Sequence, residues 1–243
     1  YGTQRVLHGV SFDLYRGKTN VIIGPSGSGK SVLMRQLIRL EEPDSGAILF
    51  DGQDIAKVEG RALSMLRRRF GMVFQHSALF DFMNVFENVA FPLREHTTLS
   101  RGEIRDRVEE RLDSLGILEA AKKMPAELSG GMQRRVAVAR ALILETELVV
   151  YHEPTTGLDP LTTQTVDELI LEAAAKFGVT SVVISHDMAS VFRIADQITV
   201  LNFGHVEASA PPESLMEVVS DEVRSFILAS GIDPRSITKI RKN

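Results

Sequence analysis

Thr19-Asn20-Val21-Ile22-Ile23-Gly24-Pro25-Ser26-Gly27-Ser28-Gly29-Lys30-Ser31 is the stretch whose reading decides the fold. Thr19 to Ile23 is a short, apolar, β-branched run that predicts a buried strand. It enters a turn containing Gly24, Gly27 and Gly29. From Lys30 onward apolar residues recur at Leu33, Leu37 and Leu40, which predicts a helix over 30–40. Residues without a Cβ let consecutive backbone N–H groups curl around an anion. The helix that follows directs its positive N-terminus at the same point. Strand, glycine turn and helix together make a phosphate cradle.

Residues 24–31 satisfy the P-loop spacing G-x-x-x-x-G-K-[ST]. Gly24, Pro25, Ser26, Gly27, Ser28 and Gly29 would wrap the phosphates. Lys30 would reach the β- and γ-phosphates, and Ser31 would place its hydroxyl on Mg²⁺. A nucleotide with Mg²⁺ is the expected ligand pair.

Outward from this loop, Ala47 to Phe50 predicts a short strand closed by the turn Asp51-Gly52. Residues 61–68 read as a helix and 71–75 as a strand. Residues 77–145 are mainly helical in pattern, and strand signals return at 148–151, 181–184 and 198–201. Strands alternating with helices predict an α/β fold: a P-loop NTPase core with a mainly parallel sheet, an antiparallel β region near the N-terminus, and an inserted helical subdomain. The expected division is 1–76 and 146–230 for the two parts of the core and 77–145 for the helical insert. Residues 231–243, rich in Pro, Ser and basic residues, read as a mobile tail.

The 243 residues are 44% hydrophobic and 25% charged, with a formal net charge of −4. That balance provides no basic field to draw in nucleic acid. The absence of Cys rules out a disulfide framework and a thiolate metal site. No apolar run reaches the roughly 18 residues that would cross a bilayer, so a membrane role would come through a partner. Because the chain starts at Tyr1, without Met or an apolar signal segment, upstream residues are expected to be missing. Arg67-Arg68-Arg69 reads as a solvated helix end.

A second anion-binding arrangement lies at Leu128-Ser129-Gly130-Gly131-Met132, before a helical face of Met132, Val136, Ala139 and Ile143. Ser129, Gly130 and Gly131 stand at that helix's N-terminus. Beside a P-loop, this segment resembles the signature of ABC transporter ATPases, which usually ends in Gln where this chain has Met132. Other elements of that family follow in order. Gln75 stands where the family's Q-loop Gln binds Mg²⁺ and senses the γ-phosphate. Residues 148–151 with His152-Glu153-Pro154 occupy the Walker B position. Thr156-Gly157-Leu158-Asp159 resembles the D-loop that crosses the dimer interface, and Ser185-His186-Asp187 resembles the switch region. Tyr1 stands where the family carries an aromatic that stacks on adenine. The family's first strand, upstream of that aromatic, has no counterpart here. The resemblance implies ATP hydrolysis, with Glu153 orienting or deprotonating the attacking water and Lys30, Gln75 and His186 beside it. It also implies a second copy of the chain, whose Ser129, Gly130, Gly131 and Asp159 close on the nucleotide.

The family has Asp where this chain has His152. A neutral imidazole accepts one hydrogen bond but brings no negative charge, and Mg²⁺ prefers oxygen ligands. Three readings stand: a site that binds ATP but turns it over slowly, a change tolerated because Ser31, Gln75 and the phosphates hold the metal, or a site that takes a different metal through nitrogen. A weakened Mg²⁺ site is expected.

Phe80, Phe82, Phe86 and Phe91 cluster between Ser77 and Leu93. In the resembled family this region receives a transmembrane permease subunit. Ala78-Leu79-Phe80, Met83-Asn84-Val85-Phe86, Asn88-Val89-Ala90, residues 92–97 and Met132 are similar to the cytoplasmic ATPase of MCE-type phospholipid transporters. That likeness implies a lipid cargo, an MCE-domain protein in the same complex, and a peripheral position on the cytoplasmic face of the inner membrane. Alternatives are the ATPase of a polar-solute, amino-acid-type importer, and an ATP-gated clamp slowed by His152.

Overall fold

β1 (Thr19–Ile23) is buried along its whole length because both its faces are covered. Val21 and Ile23 enter one hydrophobic cluster and Ile22 the other. The same split recurs in the neighbouring strands, where Val149 and Tyr151 face one cluster and Leu148 and Val150 the other. Continuous apolar runs of this kind mark parallel strands with helices on both faces. The computed structural model of the chain describes Gly2, residues 4–75 and residues 77–233.

After β1 the strands are β2 (Leu49–Phe50), β3 (Gln53–Asp54), β4 (Phe70–Val73), β5 (Leu148–His152), β6 (Thr180–Ile184), β7 (Gln197–Asn202) and β8 (His205–Ala210). Among the described residues they form a six-stranded sheet of order β4-β5-β6-β1-β7-β8 and a separate β2-β3 hairpin. Pairing is parallel from β4 through β7, while β7-β8 and β2-β3 are antiparallel. β8 carries His, Glu and Ser, so no apolar run betrays it in the sequence.

The helices are α1 (Lys30–Leu37), α2 (Gly60–Arg67), α3 (Val85–His96), α4 (Arg101–Ser114), α5 (Gly130–Ala141), α6 (Pro160–Phe177), α7 (Met188–Ile194), α8 (Pro212–Val218) and α9 (Asp221–Leu228). Leu33 and Met34 of α1 pack into the cluster on one face of the sheet. Residues of α5, α6 and α7 fill the other. α3, α4 and α5 pack on one another. α3 and α4 each open with a capping box, Asn84 with Glu87 and Ser100 with Glu103.

Several boundaries differ from the sequence reading. α1 stops at Leu37 instead of Leu40. Arg39 takes φ 57°, and the N–H groups of Leu40 and Arg39 donate to the carbonyls of Arg35 (2.8 Å) and Gln36 (3.0 Å). Those two bonds close the helix as a Schellman motif and turn Leu40 out to solvent. β2 begins at Leu49 instead of Ala47. β4 ends at Val73, which places Gln75 in a turn beyond the strand. α5 ends at Ala141, and Ile143 packs into the core from beyond it. The arginine run is not simply solvated. Arg69 pairs with Glu147 at 2.5 Å and Asp51 at 2.6 Å, and its guanidinium lies 4.4 Å from the Phe50 ring centroid.

One buried charge ties α6 to α7. Asp167 is 0% exposed and accepts from Ser190 Oγ and Arg193 Nη1, both at 2.5 Å. Burial outweighs these partners, and nearby Asp187 adds to it, so the Asp167 pKa is pushed up to about 6. The native state therefore holds a proton that the unfolded chain releases near pH 4, and stability falls as pH rises through 6. Relative to Asp167→Asn, the wild type should lose about 2 kcal/mol between pH 4 and pH 7. Urea unfolding at the two pH values checks this. Equal pH dependence of the two proteins would remove Asp167 from the account.

Candidate functional site

Sheet register builds the site. His152, Ile184 and Ile22 lie in one row across β5, β6 and β1. The residues that follow each of them therefore emerge along the same carboxyl edge, where open α/β sheets bind ligands. Beyond β1 comes Gly24-Pro25-Ser26-Gly27-Ser28-Gly29, beyond β5 comes Glu153, and beyond β6 come Ser185 and His186. β4 ends level with Tyr151, so Gln75, half-buried in its turn, projects past the same edge. The backbone fixes the alignment further, because Glu153 N–H donates to Ile184 O at 2.8 Å and Ser185 N–H to Ile22 O at 3.3 Å.

The glycine loop is shaped to take an anion. Gly24 has φ 152° and Gly29 φ 102°. A Cβ on Gly24 would meet the Leu201 carbonyl oxygen at 2.0 Å, and one on Gly29 would meet Leu7 Cδ2 at 2.7 Å. Neither a side-chain cap nor an acidic residue serves the first turn of α1, so its N–H groups face the loop uncompensated. Ser28 Oγ is buried there without a hydrogen-bond partner among the described residues. Lys30 Nζ donates to Gly24 O at 2.7 Å and Pro25 O at 2.9 Å, which sets its charge at the mouth of the loop. Burial lowers its pKa and Glu153 opposes that shift. Because the Gly24 clash is with backbone, Gly24→Ala is expected to cost several kcal/mol and to abolish nucleotide binding. Thermal unfolding and fluorescent-nucleotide titration check it.

Two pairs occupy the edge beside the loop. Ser31 Oγ lies 3.1 Å from His152 Nε2. Burial lowers the His152 pKa, Arg35 and Lys30 add to the effect, and Glu153 opposes it. The net shift favours the neutral ring. Glu153 takes φ 51°, an unusual conformation for a non-glycine residue. Its Oε2 meets His186 Nδ1 at 2.8 Å and accepts from Thr156 Oγ1 at 3.0 Å. Glu153 is thus aimed and half-buried, while His186 is largely open to solvent.

Ser129 to Gly131 are not part of this cluster. Ser129 caps α5 by accepting from Met132 N–H at 3.3 Å. Ser129 and Gly130 are exposed, and among the described residues none of their hydrogen bonds reaches residues 24–31. Asp159 likewise caps α6, accepting from the N–H groups of Leu161 and Thr162 at 3.1 Å. Tyr1 lies outside the described residues, as does most of the tail, residues 234–243.

Sequence reasoning missed several supports. Gly204, in the β7-β8 turn, donates its N–H to Ser28 O at 3.2 Å. Arg140 of α5 donates to Ser77 O at 3.0 Å and Ala78 O at 2.8 Å, holding a loop in which both residues have positive φ. Fully buried Asn88 donates to Phe80 O and Met83 O of the same loop. Only Asn88 and Arg140, polar residues among apolar helical neighbours, could have signalled these contacts.

Such a sheet, with a glycine cradle, an aimed carboxylate and a separate capped glycine helix, defines an ATPase cassette. The ABC transporter family model matches residues 7–156, and the chain belongs to that family, whose ATP-binding subunits hydrolyse ATP. Among its relatives is the intermembrane phospholipid transport system ATP-binding protein MlaF of Escherichia coli K12, 42% identical over 226 residues, covering 93% of this chain and 84% of that protein. A probable ribonucleotide transport ATP-binding protein, mkl of Mycobacterium leprae, is 38% identical over 234 residues, covering 96% of this chain and 67% of that protein. The dimeric, post-hydrolysis structure of the ATP-binding cassette MJ0796 bound to ADP and Pi aligns with TM-score 0.73 and 32% identity over 85% of this chain and 90% of that one.

Proposed function

We propose that this chain powers phospholipid transport as the ATP-hydrolysing subunit of an ABC transporter, working as a pair of identical copies. The observation that carries the ATPase chemistry is the convergence of Lys30, Ser31, Glu153 and His186 on one sheet edge. There the Gly24–Gly29 cradle and Lys30 bind the triphosphate. Glu153, held by His186 and Thr156, takes a proton from the attacking water and orients it. Gln75, past the same edge, would hold the metal ion and sense the γ-phosphate, and Tyr1 would stack on adenine.

A divalent ion, Mg²⁺ in the first instance, would be held by Ser31, Gln75 and the phosphates, neutralising charge on the triphosphate. The donor set fits Mg²⁺ poorly at His152, where nitrogen stands in place of a carboxylate, so a weakened Mg²⁺ site and slow turnover follow. A second copy supplies Ser129, Gly130, Gly131 and Asp159 from the other side of the nucleotide. The exposure of that helix terminus and of Leu161, 76% exposed beside Asp159, supports such pairing, as does the dimeric MJ0796 cassette.

Among the described residues no helix is long and apolar enough to cross a membrane, so cargo passes through partners. Ser77 to Leu93 is the proposed seat of a permease subunit. Phe82 is 76% exposed, and Phe80 contacts both Phe82 and Phe91, whereas Phe86 packs against the core. Likeness to MlaF supports lipid cargo, an MCE-domain partner and a peripheral place at the cytoplasmic face of the inner membrane. Cassette core (1–76, 146–230), helical insert (77–145) and tail (231–243) remain the proposed division. The test is to purify the native complex through a tag on this chain, reconstitute it in proteoliposomes and follow fluorescent phospholipid. ATP-dependent phospholipid movement is expected. ATP-dependent uptake of an amino acid or ribonucleotide without lipid movement would overturn the cargo assignment.

A further inference from the structure

The P-loop hydroxyl and His152 are spaced like two ligands of one ion. In an octahedral site with bonds of about 2.1 Å, neighbouring ligand atoms sit roughly 3.0 Å apart. Ser31 Oγ and His152 Nε2 are 3.1 Å apart. The nearest carboxylate in sequence is already engaged, since Glu153 Oε2 serves His186 and Thr156. Among the described residues no cluster of three His, Cys, Asp or Glu stands ready to hold a cation by itself, so any ion here must be completed by the phosphates of the nucleotide. One nitrogen and one hydroxyl oxygen, joined by phosphate oxygens, form a mixed donor set. Affinity of such a set rises along the first transition row from Mn²⁺ to Co²⁺ and Ni²⁺, and imidazole favours these ions over Mg²⁺.

We infer that His152 makes the nucleotide site selective for a first-row transition-metal dication, bound through Nε2 together with ATP, in preference to Mg²⁺. This rests on residues 24–31 being the nucleotide site. It differs from a merely impaired Mg²⁺ site in one respect: the imidazole contributes a bond of its own.

The experiment measures affinity for a fluorescent, non-hydrolysable ATP analogue in Mg²⁺, Mn²⁺ and Co²⁺, for wild type, His152→Asp and Lys30→Ala. It adds electron spin-echo measurements on the wild-type Mn²⁺–nucleotide complex. The wild type should bind nucleotide in the order Co²⁺ over Mn²⁺ over Mg²⁺, with a Co²⁺-to-Mg²⁺ ratio at least about tenfold above that of His152→Asp. The Mn²⁺ complex should show modulation from directly bonded imidazole nitrogen, a readout that does not depend on the variant folding. Equal metal ratios in wild type and His152→Asp, or Mn²⁺ without nitrogen modulation, would show that Ser31 and His152 share only a hydrogen bond and would overturn the inference alone. If wild type binds nucleotide no better than Lys30→Ala with every cation, the nucleotide-site reading fails and takes this inference with it.

Discussion

Glu153→Gln is expected to lower ATP turnover by about 10²–10⁴-fold, the range for loss of a positioned general base, while nucleotide affinity stays roughly unchanged. The substitution keeps the shape of the side chain and an oxygen that can accept from Thr156 and His186, the two partners seen for Glu153. What it removes is the capacity to take a proton. The unusual φ of 51° belongs to the backbone turn and is the same for Gln, so folding should be spared. Phosphate release beside fluorescent-nucleotide titration separates the two effects. Turnover within about tenfold of wild type would mean that Glu153 is not the base.

His152→Asp is expected to act in the opposite direction. A carboxylate opposite Ser31 restores an oxygen donor and a negative charge beside the metal position. In Mg²⁺, turnover should rise at least tenfold, about 1.4 kcal/mol or more in the barrier, and the Mg²⁺ concentration needed for half-maximal activity should fall. Wild-type hydrolysis that already saturates at low micromolar Mg²⁺ would contradict a weakened site. If the imidazole bonds transition metals, the advantage of Asp should narrow in Co²⁺ or Mn²⁺, a comparison that separates a crippled metal site from a re-tuned one.

The core was legible wherever function demanded a local pattern. Thr19 to Ser31 announces strand, cradle and helix because a phosphate needs consecutive N–H groups, and the turn that presents them leaves no room for a Cβ at Gly24 or Gly29. Leu128 to Met132 was legible as a helix terminus for a similar reason, and the apolar runs at 148–151 and 181–184 marked strands covered on both faces. Boundaries read less well. Periodicity carried α1 to Leu40, but Arg39 in a left-handed conformation ended it earlier. β8 escaped because an edge strand can carry polar residues on its open side.

By itself the sequence determined which side chains were available: the cradle, the carboxylate at Glu153, and the imidazole at His152 where an oxygen was expected. Tertiary structure decided which of them meet. Sheet order places β1 between β6 and β7 and β5 beside β6, and only that order brings Ser31 to His152 and Glu153 to His186. It also sets Ser129 to Gly131 apart from residues 24–31, as a surface left for another molecule. Strand order and register arise from how the helices cover both faces of the sheet, a sum of long-range packing energies. Spacing along the chain carries no record of that sum.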